Sequence, residues 1–229
     1  MSRRGKLEKF TEIRLLDNVF EMVRFDSEQL RVDFDKTIRL KGIWQSHVFK
    51  NKNGLVLELA CGRGEYSVNM AETYPMYNYI GVDIKGARIW KGAQLAKTKK
   101  LDNVAFLRIR IEMLENFFAV GEVDEIWITF PDPFAKKENR RLTSPKFLDL
   151  YMNVLSKNGK VHLKTDDDDL FWYSIETVKS HPNLEIKEII EDVYASQAVH
   201  PKLAIKTRYE KQHLENNKTI KYFVFEKND

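Results

Sequence analysis

Beyond residue 50 the chain alternates between short apolar runs and longer stretches whose apolar residues recur every third or fourth position. Leu55-Val56-Leu57-Glu58-Leu59, Tyr79-Ile80-Gly81-Val82-Asp83, Val104-Ala105-Phe106-Leu107, Glu125 to Phe130 and Lys160 to Lys164 have the length and composition of strands. Segments near 65–74, 86–100, 111–119 and 144–156 between them have helix length and period. In the second of these, Ile89, Ala93 and Ala96 share one side while Arg88, Lys91 and Lys99 point away. Strands separated by helices require crossover connections, which predict a parallel sheet. A helix over 168–180 then precedes two more strand candidates, 184–190 and 220–225, expected as an antiparallel edge. The pattern amounts to an α/β fold: a mostly parallel seven-stranded sheet with an antiparallel C-terminal strand pair and helices on both faces. The connection 191–219 has no clear periodicity and is long enough to be read as functional. No repeat or linker divides the chain, so residues 1–50 are read as a partly helical N-terminal extension of one domain over 51–229.

Composition narrows the class. Hydrophobic residues make up 43% of the 229 and aromatic residues 12%, while 10 Gly and 6 Pro are too few for a collagenous or disordered chain. Apolar stretches such as 126–130 and 222–225 fall far short of the roughly 20 residues that cross a bilayer. The basic residues at the N-terminus are followed by Glu8, Lys9, Glu12 and Arg14 rather than by an apolar run, so a cytoplasmic protein without membrane association is expected. A lone cysteine, Cys61, excludes an intramolecular disulfide and a cysteine-rich zinc site, and no metal site is expected. The net charge of +4 is small but unevenly placed. Residues 85–110 carry eight Lys or Arg against Asp102 alone, a pattern that fits solvated helix faces or an anion-binding surface.

Three motifs fall at the C-terminal ends of expected strands, the edge where open parallel sheets bind ligands. In Glu58-Leu59-Ala60-Cys61-Gly62-Arg63-Gly64-Glu65, Gly62 and Gly64 permit a tight turn and a close ligand approach. Asp83 follows at the end of the next strand, placed to accept both hydroxyls of a ribose. This pattern leaves nicotinamide and S-adenosylmethionine (SAM) open as cofactors. Ser67 occupies the third glycine position of a dinucleotide fingerprint, and Glu58 and Glu65 repel a pyrophosphate while attracting a cationic ligand. An NAD-dependent oxidoreductase and a non-catalytic RNA-binding subunit are the alternatives. In Thr129-Phe130-Pro131-Asp132-Pro133-Phe134-Ala135-Lys136-Lys137, two prolines hold Asp132 at a strand end and Phe134 offers a ring to a base. Lys136, Lys137, Arg140 and Arg141 are expected to form a phosphate-binding edge beside it. In Lys164-Thr165-Asp166, Asp166 could accept hydrogen bonds from guanine N1–H and its amine, whereas Asp167 to Asp169 read as helix N-terminal charges.

Taken in order, ELACGRGE, GVDIKG, FPDPFAKK followed by RRL, KTD and TRYE resemble the bacterial tRNA (guanine-N7)-methyltransferase family, over most of the chain from about residue 40. The resemblance implies a Rossmann-like class I methyltransferase fold, SAM as cofactor, and methylation of a guanosine in the tRNA variable loop. By matching position, Glu58, Gly62, Gly64 and Asp83 hold SAM. The resemblance further implies that Asp132 would lie between SAM and the base as the catalytic residue, while Lys136, Asp166, Thr207, Arg208, Tyr209 and Glu210 would contact the substrate. The N-terminal extension is then a candidate RNA-contacting element, DNA is not expected as a partner, and a monomer or homodimer is expected. The chain departs from the family's pattern at Ala60, where Gly is usual, at Arg110, where an Asp or Asn usually faces the adenine, and at Phe134, where Trp is usual. The chemistry needs no strong base, because guanine N7 carries a free lone pair. His47, His162, His181, His200 and His213 are accordingly read as structural or solvated, and Cys61 as a buried side chain rather than a nucleophile.

Overall fold

The computed structural model describes residues 5–25, 27–195 and 200–228. The basic residues at positions 3 and 4, and part of the 191–219 connection, lie outside them. The chain groups into two compact units, Met1–Ala119 and Val120–Asp229.

In the first unit the elements run α1 (Lys6–Glu12), β1 (Val19–Met22), β2 (Leu30–Arg31), β3 (Thr37–Ile38), a π-helical turn (Trp44–Phe49), β4 (Gly54–Leu59), α2 (Glu65–Thr73), β5 (Tyr77–Val82), α3 (Gly86–Thr98), β6 (Val104–Arg108) and α4 (Leu114–Phe117). Its strands are ordered β3-β2-β1-β6-β5-β4, parallel from β1 to β4 and antiparallel at β2 and β3. The apolar runs of β4 to β6 are covered on both faces, as parallel strands require. Register puts Leu59 opposite Val82, so the chain leaves β4 and β5 at the same level and the glycine loop and Asp83 emerge side by side. The expected helix over 111–119 is a 3₁₀ turn, Ile111–Met113, followed by the single turn of α4.

The first fifty residues carry strands as well as a helix. β1 pairs in parallel with β6, and its Glu21 is buried where Arg108 approaches to 2.5 Å and Arg14 to 3.4 Å. α1 packs on α3, with Trp90 Nε1 donating to Glu12 at 2.7 Å. Trp44 is fully buried, edge-on to Phe20, stacked on Phe118, and its indole N–H reaches the Phe117 carbonyl at 2.8 Å. Trp44→Ala would cost about 3–5 kcal/mol by emptying that slot.

The second unit comprises β7 (Val123–Thr129), α5 (Pro145–Val154), β8 (Leu155–Thr165), α6 (Asp168–Lys179), β9 (Leu184–Ile190), α7 (Pro201–Ala204), α8 (Arg208–Glu215) and β10 (Lys221–Lys227), with strands ordered β7-β8-β10-β9. β7 and β8 are parallel; β10 is antiparallel to both β8 and β9. Pro145 opens α5 at a position where a missing N–H is harmless. Asp167 caps α6 by accepting the Leu170 N–H at 2.7 Å, and Asp168 and Asp169 lie in the first turn, the placement the sequence suggests for these charges. All seven expected strands form, and β1 to β3 are added to them.

Candidate active site

In the first unit, β4 ends in a loop that turns back on itself through three left-handed positions, Ala60 at φ 55°, Gly62 at 56° and Gly64 at 66°. At Gly64 the need for glycine is double. A Cβ there would overlap the Phe106 ring, which also lies 2.9 Å from a Cβ built on Gly81 and 2.7 Å from one built on Gly92. One phenyl ring thus fills a slot made by three glycines and sets the height of the loop over the sheet. A Cβ on Gly62 would meet nothing closer than the Ala60 carbonyl at 3.9 Å, so that face is open to a ligand.

Two buried carboxylates flank this loop. Glu58 Oε2 accepts from the Ser67 N–H at 2.9 Å and from its hydroxyl at 2.5 Å, tying the end of β4 to the first turn of α2. The serine that breaks the dinucleotide fingerprint is therefore the residue that orients Glu58. Asp83 accepts the Gly62 N–H at 2.9 Å on one oxygen and the Lys85 N–H at 2.7 Å on the other. Each oxygen keeps lone-pair capacity for a ligand hydroxyl. Cys61 is buried; burial, then the Glu58 and Asp83 charges, push its thiol well above the ordinary value, so it stays protonated and inert. Arg110 is exposed with its guanidinium 4.7 Å from the Phe25 ring centre.

In the second unit, β7 runs into Phe130 at φ 49°, followed by buried Pro131, exposed Asp132 and Phe134 at φ 43°. Two bulky residues in left-handed conformation bracket the aspartate, each costing about 1–3 kcal/mol of backbone strain. Asp132 Oδ1 accepts a long bond, 3.2 Å, from the Phe134 N–H. The Phe130 ring stacks on His213 at 5.7 Å. Arg141 overturns part of the expected phosphate edge. It is 4% exposed, donates to the Pro133 carbonyl at 2.9 Å and lies over the Tyr173 ring, so it braces the loop from inside. Lys136, Lys137 and Arg140 are exposed.

Asp166, at the end of β8, is met by Lys218 at 2.6 Å and His213 at 3.3 Å, both on Oδ2. Of the Thr207 to Glu210 turn, Thr207 caps α8 by accepting the Glu210 N–H at 3.1 Å, and Glu210 is fully buried; Arg208 and Tyr209 face solvent. Sequence reasoning passed over Lys164, which is 0% exposed and ion-paired with Glu210. The signal available was a lysine ending a strand otherwise made for burial. His162 is also buried, stacked at 4.0 Å on Trp127 and bonded to the Tyr222 hydroxyl; burial, then Lys202, hold its pKa well below the ordinary value. It remains neutral and structural. Among the described residues no cluster of His, Cys, Asp and Glu is arranged to hold a metal ion.

Solved structures place the fold. KamB, a 16S rRNA methyltransferase, superposes with a TM-score of 0.62 over 85% of this chain and 97% of its own at 14% identity. TrmN from Thermus thermophilus gives 0.53 over 80% of this chain and 46% of its own at 20% identity. The architecture is that of a Rossmann-like class I methyltransferase, with an antiparallel C-terminal strand pair. A family model described as a putative methyltransferase matches residues 52–223. The tRNA (guanine-N(7)-)-methyltransferase of Bacteroides fragilis is 46% identical over 97% of this chain and 85% of its own, and that of Christiangramia forsetii is 44% identical over 98% and 99%. The chain belongs to the tRNA (guanine-N7)-methyltransferase family.

Proposed function

We propose that the protein transfers the methyl group of SAM to N7 of a guanosine in the tRNA variable loop. The observation that carries this is the 44–46% identity, over nearly the whole chain, with enzymes named tRNA (guanine-N(7)-)-methyltransferase. The nicotinamide and non-catalytic alternatives fall with it.

The residues of the first unit suit SAM. The two buried carboxylates, Glu58 and Asp83, make a negative environment that, after burial, adds to the upward push on the Cys61 thiol, and the open face of Gly62 admits a ligand against the backbone. Glu58, Gly62, Gly64 and Asp83 would hold the cofactor, with Asp83 toward the ribose hydroxyls. When bound, SAM supplies a methyl group on a positively charged sulfur. Asp132 is assigned to both cofactor and base, with Lys136, Asp166, Arg208 and Tyr209 assigned to tRNA. Thr207, the cap of α8, and the fully buried Glu210 support that turn from within instead of touching substrate, as the resemblance had implied.

The protein's own task is positioning and charge. N7 has a free lone pair, so no proton must leave it, and no histidine need act as a base. Positive charge develops on the guanine as N7 becomes bonded, and the Asp132 carboxylate is assigned to favour that charge. A tRNA substrate puts the activity in the cytoplasm. Transfer of tritiated methyl from SAM to unmodified tRNA tests the proposal. Incorporation recovered as 7-methylguanosine is expected after nuclease digestion. No incorporation, or a label on another atom, would overturn it.

A further inference from the structure

The most deeply buried charges of the second unit lie outside this chemistry. Lys164 Nζ and Glu210 Oε1 are 2.5 Å apart, and both side chains are wholly buried. The ammonium also donates to the Leu203 carbonyl at 2.6 Å, and the Tyr194 hydroxyl donates to the same Glu210 oxygen at 2.6 Å. Among the described residues Glu210 Oε2 is buried without a hydrogen-bond partner. Charges removed from water suffer a desolvation penalty that their mutual attraction only about offsets, and apolar residues of the same size often stabilise a core as well. Stability is therefore a poor account of this pair.

Direction is a better one. Residues 194, 203 and 210 all belong to the long connection between β9 and β10, and their bonds converge on one ion pair near the end of β8. Lys164 precedes Asp166 by two residues, and Asp166 grips the same connection again through His213 and Lys218. Lys202 makes a further tie, to Glu125 on β7 at 2.9 Å. At the start of α8, its cap Thr207 and Glu210 point inward and Arg208 and Tyr209 point outward, Tyr209 being 51% exposed. A helical turn held by its inner face has its outer face fixed as well.

We propose that Lys164 is a positioning residue for tRNA: its buried ion pair with Glu210 locks the first turn of α8 so that Arg208 and Tyr209 are held out toward the RNA. Arg208 offers a cation to phosphate, and Tyr209 a ring on which an unpaired base can stack. The inference rests on the protein being a tRNA methyltransferase.

Lys164→Met alone leaves a buried carboxylate unpaired and is expected to melt at a markedly lower temperature. The deciding variant is Lys164→Met with Glu210→Gln, which removes both charges and keeps an acceptor for Tyr194. It is expected to fold and to bind SAM within about two-fold of wild type, while the KM for tRNA rises about ten-fold and the single-turnover rate at saturating tRNA holds within about three-fold. Arg208→Ala with Tyr209→Ala should raise KM in the wild-type background but add little to the double variant, because the two pairs share one effect. A wild-type KM in the folded double variant, or fully additive effects, would overturn the proposal. If the double variant does not fold, Tyr194→Phe decides. It deletes one bond to Glu210 and should raise KM about three-fold with SAM binding unchanged; an unchanged KM overturns the proposal. Wild-type protein that methylates no tRNA would instead refute the functional reading, whatever the variants do.

Discussion

The two acid-bearing loops are built on opposite plans. The glycine loop of the first unit buries its carboxylates and ties them to backbone N–H groups or to Ser67, and two of its three left-handed positions are glycines. The Pro-Asp-Pro loop of the second unit leaves Asp132 exposed on a long hydrogen bond and puts its left-handed positions on Phe130 and Phe134. The first arrangement is settled before any ligand arrives. The second keeps its carboxylate in solvent and holds its backbone in strain, braced by Arg141 from within. The difference suits the proposed roles: the first loop is assigned to a cofactor that is simply held, the second to a base whose charge changes during reaction.

The largest effect should come from the unsettled acid. Asp132→Asn keeps shape and one acceptor but removes the charge, so the single-turnover rate should fall about 10²-fold or more while tRNA affinity changes little. Because N7 loses no proton, the wild-type rate should be flat between about pH 7 and 9. An asparagine variant of undiminished rate, or a rate climbing tenfold per pH unit, would remove the distinction drawn between the loops.

For the settled acid the expectation is different in kind. Asp83→Ala should weaken SAM binding by roughly 1.5–3 kcal/mol, read by calorimetry. It should also lower the melting temperature, because the Gly62 and Lys85 N–H groups lose their acceptor. Weaker binding with an unchanged melting temperature would mean that the loop is held mainly by its glycines and Phe106.

Most of the fold was legible because β4 to β7, the second half of β8 and β10 are written in largely buried apolar runs at strand length, while the mostly exposed β9 showed only through its spaced Leu and Ile residues. β1 to β3 were not, since four- and two-residue strands give no periodicity and Glu21 interrupts the one of useful length. The strand-end acids could be read from position alone. Their roles in holding the protein together could not: Ser67 looked like a missing glycine, and Arg141 looked like one more cation beside Arg140. Only burial separates them, and burial of a charged residue is decided by partners distant in sequence, such as the Pro133 carbonyl for Arg141 and Glu210 for Lys164.

That separation can itself be measured. Lys136→Ala with Arg140→Ala should flatten the salt dependence of tRNA binding, by up to about 0.7–0.9 log units of slope for each phosphate the two cations neutralise, with the melting temperature unchanged. Arg141→Ala should instead lower stability by about 1.5–3 kcal/mol, because a buried charge-assisted bond is broken. Equal salt slopes for wild type and the first variant would return those two cations to solvent. A fully stable Arg141→Ala protein would show that the loop needs no brace.

The smallest effect concerns the one left-handed position in the glycine loop that is not a glycine. Ala60 at φ 55° carries strain of about 1–2 kcal/mol that glycine would relieve. Glycine also adds about 0.5–1 kcal/mol of unfolded-state entropy. The balance favours Ala60→Gly by at most about 1.5 kcal/mol, a rise of no more than about 3–6 °C in melting temperature for a chain of this size. Phe130→Gly at φ 49° relieves similar strain but deletes the ring stacked on His213, and should lower the melting temperature instead. Opposite signs for the two substitutions would confirm that strain is incidental in the first loop and offset by aromatic packing in the second. A fall in both would mean that Ala60 sits in its left-handed conformation without appreciable strain.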